Sequence, residues 1–165
     1  MPNITRVGIG YDIHRLAQGR PLILAGVSVE FAKGLMGHSD GDVVLHAVAE
    51  AIAGAAGLAD IGEQFPDTLA ATEGMDSRKI VGKVFAEARQ KGFRVVNLDA
   101  VIQAEKPKIA QYKQKMRQTL AEMLEVEVDA VNLKGRTAEG LGEIGSGQAI
   151  ACTAVVGLAP ALTDQ

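Results

Sequence analysis

The chain has 165 residues, of which 47% are hydrophobic and 22% charged, with a formal net charge of -3. That length fits one domain, residues 1–165, with a sizeable core, and the composition shows no sign of disorder. An acidic balance leaves no footprint for a polyanion, so nucleic acid is not expected as a partner.

No run approaches the ~20 apolar residues of a membrane span, so no membrane partner is expected. The opening MPNITRVGIG lacks a basic start followed by an apolar core. The expectation is a cytoplasmic bacterial protein, or a plastid-stroma protein whose transit segment has been removed.

Residues 6–14, RVGIGYDIH, alternate: Val7, Ile9, Tyr11 and Ile13 at odd positions, Gly8, Gly10, Asp12 and His14 at even ones. This predicts a strand with Asp12 and His14 on its polar face. PLILAGVSVEF predicts a hairpin around Ala25 and Gly26. In SDGD, Ser39 is placed to cap a helix with Asp42 in its first turn. The helix is expected over residues 43–60, buried because it is apolar nearly all round.

Residues 61–76 lack periodicity and read as a long loop, a common home of function in small domains. The stripe Ile80, Val81, Val84, Phe85 and Ala88 predicts an amphipathic helix stopped by Gly92. FRVVNLDAVIQA alternates, EKPK breaks it, and Ile109, Tyr112, Met116, Leu120 and Met123 recur at helical spacing, a core-facing stripe. VDAVNLKG and QAIACTAVVGL predict two more strands around a Gly-rich segment. The single cysteine, Cys152, reads as a buried small hydrophobe. Strands alternating with helices give an α/β (α+β) sandwich, helices packed on a sheet.

Asp12, His14 and His46 together offer two imidazoles and a carboxylate, a donor set for a borderline divalent ion such as zinc, with a fourth position open. Taken singly, each histidine reads equally as a satisfied polar residue at an element end. The helix start at HSDGD could hold an anion beside His38 and Ser39, or simply be capped. Gly140, Gly142 and Gly145 spell G-x-G-x-x-G, but a strand follows at once and the chain ends at Gln165, so the dinucleotide reading is rejected. What remains there is a loop with Lys134, Arg136, Thr137 and Glu139. These suit a phosphate and a hard cation, and equally a solvated turn.

Taken in order, YDIHRL, HSDGDVVLHA, DIGEQFPDT, AEKPK and KGRTAEGLG closely resemble the 2-C-methyl-D-erythritol 2,4-cyclodiphosphate synthase family of the non-mevalonate isoprenoid pathway. The resemblance implies a homotrimer of subunits with a mixed sheet and helices on one face, its active sites at subunit boundaries. It implies conversion of a cytidine diphosphate substrate, 4-diphosphocytidyl-2-C-methyl-D-erythritol 2-phosphate, into the cyclic diphosphate and CMP. Carried over, Asp12, His14 and His46 are zinc ligands, the first two also reaching substrate. His38 and Ser39 meet the methylerythritol phosphate, Asp60, Ile61 and Gly62 lie near the sugar, and Phe65, Pro66, Asp67 and Thr68 belong to a loop over the substrate. Residues 104–110, among them Ala104, Pro107, Lys108, Ile109 and Ala110, form the cytosine pocket largely through backbone, with Lys108 toward phosphate, and Arg136 is a further substrate contact. Thr137 contacts phosphate, Glu139 holds magnesium or manganese, and His38 and Thr137 support the transition state.

Two other functions fit the same residues. A zinc-dependent phosphohydrolase would use the metal site with water as attacker, and a trimeric metal- or isoprenoid-diphosphate-binding module would turn nothing over.

Overall fold

The computed structural model describes residues 5–66, 68 and 73–162. In chain order the elements are β1 (Arg6–Gln18), β2 (Leu22–Leu24), β3 (Val27–Val29), β4 (Lys33–Leu35), α1 (Val43–Ala56), α2 (Ile61–Gln64), α3 (Ser77–Gln90), β5 (Phe93–Gln103), α4 (Lys113–Leu124), β6 (Val131–Arg136), α5 (Gly142–Gly145) and β7 (Ala149–Pro160). Five strands form a sheet in the order β4-β1-β7-β5-β6, and β2 pairs with β3 as a small hairpin. Strands β5 and β6 run parallel, whereas β1 is antiparallel to β4 and β7, and β5 to β7. The sheet is therefore mixed, as expected.

The glycines of β1 explain how the main layer closes. Helix α1 lies across β1 and β7. A Cβ on Gly8 would stand 1.9 Å from the Ala51 carbonyl oxygen, and one on Gly10 1.9 Å from that of Ala47. The helix backbone thus rests directly on the strand, a spacing open only to glycine. Past Gly10 the strand clears the helix start, and side chains on the same face gain room: those are Asp12 and His14.

Helix α3 buries Ile80, Val81, Val84, Phe85 and Ala88, the predicted stripe. Before and within α4, Ile109, Met116 and Leu120 are buried, while Tyr112 and Met123 are partly buried against the same core. The opposite face of β1 is bare: Val7, Ile9, Tyr11 and Ile13 are 65%, 70%, 54% and 43% exposed. Helices cover one face only. No helix among the described residues is long and apolar enough to cross a membrane.

Four expectations need correction. Asp42, not Ser39, caps α1, accepting the Val44 and Leu45 N–H groups. The same carboxylate accepts from Ala25 N at 3.0 Å and Gly26 N at 2.7 Å, fastening the β2–β3 turn, whose two residues both have positive φ. Helix α1 ends at Ala56 rather than residue 60, because Gly57 adopts the left-handed conformation and closes the last turn onto Ala53 and Gly54. Asp60 then opens the short helix α2 by accepting the Glu63 N–H at 2.8 Å, where a loop was expected. Val128–Ala130 is a 3₁₀ turn, so β6 begins at Val131.

Candidate functional site

Strand β1 and the first turn of α1 bring Asp12, His14 and His46 together. His14 Nε2 lies 2.8 Å from Asp12 Oδ2, and His46 Nδ1 lies 2.9 Å from the same oxygen. The two ring nitrogens are 3.0 Å apart. Burial alone would raise the Asp12 carboxyl, but hydrogen bonds and charge from both rings outweigh it and hold it down at about 2. Burial would lower His14, yet Asp12 and a backbone hydrogen bond at Met36 raise it. Three donors thus converge on one point, and among the described residues this is the group of its kind.

The far nitrogen of His46 is also engaged. Nε2 lies 2.9 Å from Ser77 Oγ and 3.1 Å from Ser39 Oγ. Ser77 Oγ in turn donates to Asp40 in a very short hydrogen bond. With its own proton committed to Asp40, Ser77 accepts from His46, which places a ring proton on Nε2 and makes Nδ1, facing Asp12 and His14, the nitrogen that would turn to an ion. At the start of α1, Asp42 takes the Val44 and Leu45 N–H groups, so that helix end is capped from within the chain.

Asp12, His14, His38, Ser39 and His46 line a cavity of about 230 Å³ with Gly37, Ile61, Gly62, Phe65 and Ile80. Asp60 does not line it, and neither do Pro66 or Thr68. Asp67 lies outside the described residues. A second cavity, about 260 Å³, is walled by Ile102, Ala104, Pro107, Ile109, Ala110 and Gly135, with Glu105, Lys108, Lys113, Arg136 and Thr137. Glu139 is exposed beside it, accepting from Thr137 Oγ1 at 3.2 Å.

The two cavities share no residue. Register links Asp12 to Cys152, Cys152 to Ile102 and Ile102 to Gly135, so they sit at one end of the sheet, three strand spacings or about 14 Å apart.

A model of the YgbB family matches residues 5–159. The chain belongs to the YgbB family. Its relatives in that family include a protein of Geobacillus kaustophilus (strain HTA426) named 2-C-methyl-D-erythritol 2,4-cyclodiphosphate synthase, 51% identical over 151 residues, 92% of this chain and 96% of that one. Among solved structures, the IspF of Plasmodium falciparum in complex with CDP is 31% identical with a TM-score of 0.83, covering 95% of this chain and 97% of that one. The bifunctional IspDF of Campylobacter jejuni gives a TM-score of 0.90 at 38% identity over 94% of this chain, which spans only 42% of that longer protein.

In this YgbB member the structure gathers most expected residues, but into two separate cavities. Sequence reasoning missed Asp40 and Ser77 behind His46, Lys113 at the second cavity, and any side-chain role for Glu105, which it included only within the stretch 104–110. Asp40 stands inside HSDGD, where the capping reading used only Ser39 and Asp42. Ser77 carried no signal beyond opening a helix.

Proposed function

We propose that the chain converts 4-diphosphocytidyl-2-C-methyl-D-erythritol 2-phosphate into 2-C-methyl-D-erythritol 2,4-cyclodiphosphate and CMP, as a phosphorus–oxygen lyase of isoprenoid biosynthesis. The observation that carries this reading is the Asp12–His14–His46 cluster opening into one cavity with His38, in a chain half identical to a named cyclodiphosphate synthase.

The donor set fits zinc. Two imidazole nitrogens and one carboxylate oxygen, 2.8 to 3.0 Å apart, approach the ~3.3 Å spacing of ligands around a tetrahedral ion with ~2.0 Å bonds. Glu139 is an exposed carboxylate, the kind of ligand that suits magnesium or manganese completed by substrate phosphates. When bound, such ions polarise phosphate oxygens and offset charge on the diphosphate.

The chain's own residues then have positioning and charge to supply. The apolar walls at Ala104, Pro107 and Ile109, rimmed by Lys108 and Arg136, suit a nucleoside carrying phosphates. An oxygen of the substrate's 2-phosphate attacks the β-phosphorus, and the bond from that phosphorus to the CMP oxygen breaks. No water is consumed and no side-chain nucleophile is needed. Cys152 could not serve as one, being fully buried with its thiol pushed up by burial. Attacker and phosphorus already belong to one molecule, so what the protein adds is to hold the 2-phosphate in line, while the His38 ring and the Thr137 hydroxyl, turning from Glu139, donate to the charge that develops on phosphate.

We read the working unit as a homotrimer in which the zinc cavity of one copy faces the nucleotide cavity of the next. The separation of the two cavities and the bare apolar row on β1 both support it.

The reading is tested by ³¹P NMR of the protein with that substrate and Mg²⁺, with and without a chelator. Chelator-sensitive release of CMP with a cyclic diphosphate is expected; CMP with only linear phosphate would make the protein a hydrolase, and an unchanged spectrum would make it a binding module.

A further inference from the structure

The turn that presents Thr137 and Glu139 is fastened from outside. Glu105, just after β5, reaches it with both carboxylate oxygens: Oε2 accepts the Ala138 N–H at 3.2 Å and Oε1 the Gly140 N–H at 3.3 Å. One side chain therefore grips the backbone on either side of Glu139. That residue has φ 52, in the left-handed region that disfavours a side chain with a Cβ, so something must hold it there.

Inside the turn, Thr137 Oγ1 donates to Glu139 Oε1, and the Glu139 N–H returns to Thr137 Oγ1 at 3.4 Å. Behind it, Gly140 is backed by Gly145, where a Cβ would stand 2.1 Å from the Gly140 carbonyl carbon. Glu105 is also part of the second cavity's wall, among Lys108, Lys113 and Arg136. Its oxygens are taken up by the turn.

We propose that Glu105 is a positioning residue that couples the two functions of the second cavity. By holding the Ala138 and Gly140 N–H groups, it ties the nucleotide-pocket segment 104–108 to the turn that sets Thr137 at the cavity wall and Glu139 in its left-handed conformation. This rests on the roles given above to Thr137 and Glu139. A carboxylate accepting two backbone N–H groups makes charge-assisted bonds that neither a shorter nor an apolar side chain replaces. Segment 104–108 has a tie of its own, the Ala104 N–H to the Arg136 carbonyl at 2.9 Å, so loss of Glu105 frees the turn more than the pocket.

The test compares Glu105→Ala and Glu105→Gln with Thr137→Ala and Glu139→Gln in the full chain. Glu105→Ala lowers kcat by about 10- to 100-fold, the usual effect of removing a residue that orients a metal ligand. The substrate KM stays within about 3-fold, the signature of an interaction used in the transition state. Calorimetry with CDP gives the same affinity as the parent without Mg²⁺ and a smaller gain when Mg²⁺ is added. Glu105→Gln falls between, since its carbonyl keeps one acceptor, and it carries the test if the alanine variant does not fold. Independently of turnover, the Ala138 and Gly140 amide resonances shift in both variants.

Unmoved amide resonances would overturn the proposal, as would a parental kcat in Glu105→Ala alongside an impaired Thr137→Ala. Parental rates in both Thr137→Ala and Glu139→Gln would instead sink the roles assigned to the turn, and the proposal with them.

Discussion

His46 is held at both ring nitrogens, and that double hold makes it useful. Nδ1 faces Asp12 and His14 while Nε2 is anchored through Ser77 to Asp40. Replacing Ser77 with alanine frees the ring to flip its proton, so zinc affinity should fall about 10- to 100-fold with the fold intact. Competition with a chromophoric chelator measures this, and parental affinity would disprove the anchoring role. Protons compete for the same lone pairs. Because His14 is raised above 6.5 in the metal-free protein, its protonated form persists to higher pH and opposes the ion there. Zinc affinity should therefore strengthen with rising pH through that raised value, by up to about ten-fold per pH unit below it, and then level off. A pH-independent affinity between pH 6 and 8 would contradict the assignment. The sequence offered Asp12, His14 and His46 as candidate donors, the first two from alternation on one face of a strand and His46 as an imidazole on an apolar helix, and the structure brings the three together as a group that could hold a metal. Asp40, Ser77 and Glu105 could not be read so, because each acts by a bond between segments far apart in the chain, and no local pattern records such a bond.

At the scale of elements, alternation in β1 and the stripes of α3 and α4 were legible because each is a local period with a buried face. Boundaries were less so. Helix α1 stops at Gly57 although apolar residues continue, since one left-handed glycine outweighs composition. The cap was misread for a related reason: Ser39 and Asp42 are both capping residues, and tertiary contact with the β2–β3 turn selects Asp42. Two substitutions follow from this layer. Gly10→Ala drives a Cβ into the Ala47 carbonyl, so the helix must lift from the strand, at a cost of about 3 kcal/mol or more. Chemical denaturation checks it, and a stable variant would show the contact to be soft. Asp42→Ala leaves four N–H groups, three of them buried, without their acceptor, costing about 2 kcal/mol or more. Burial raises the Asp42 carboxyl from 3.8 to about 6 even against those donors. The folded chain therefore binds this proton more tightly than the unfolded one, and the group's contribution to stability falls as pH rises between those values. The alanine variant should lose that slope.

For the whole molecule, composition and charge set the class, and the order of motifs resembling one family carried the function. The Asp12–His14–His46 cavity and the cavity walled by Ala104 and Lys108 lie apart on the chain, and β1 leaves an apolar row exposed; in the proposed trimer, neighbouring copies would join the two. Ile9→Asp, a charge placed in that row, should yield monomers by light scattering and abolish turnover without unfolding the chain; an active monomer would refute the shared site. The most direct measurement is complementation. His46→Ala lacks the zinc half and Thr137→Ala the phosphate half, so each should be nearly inactive alone. Co-expressed in equal amounts, they should form mixed trimers in which about one quarter of the sites join two intact halves, restoring about that fraction of parental activity. Mixed oligomers as inactive as either parent would place the whole site within one protomer and contradict the account.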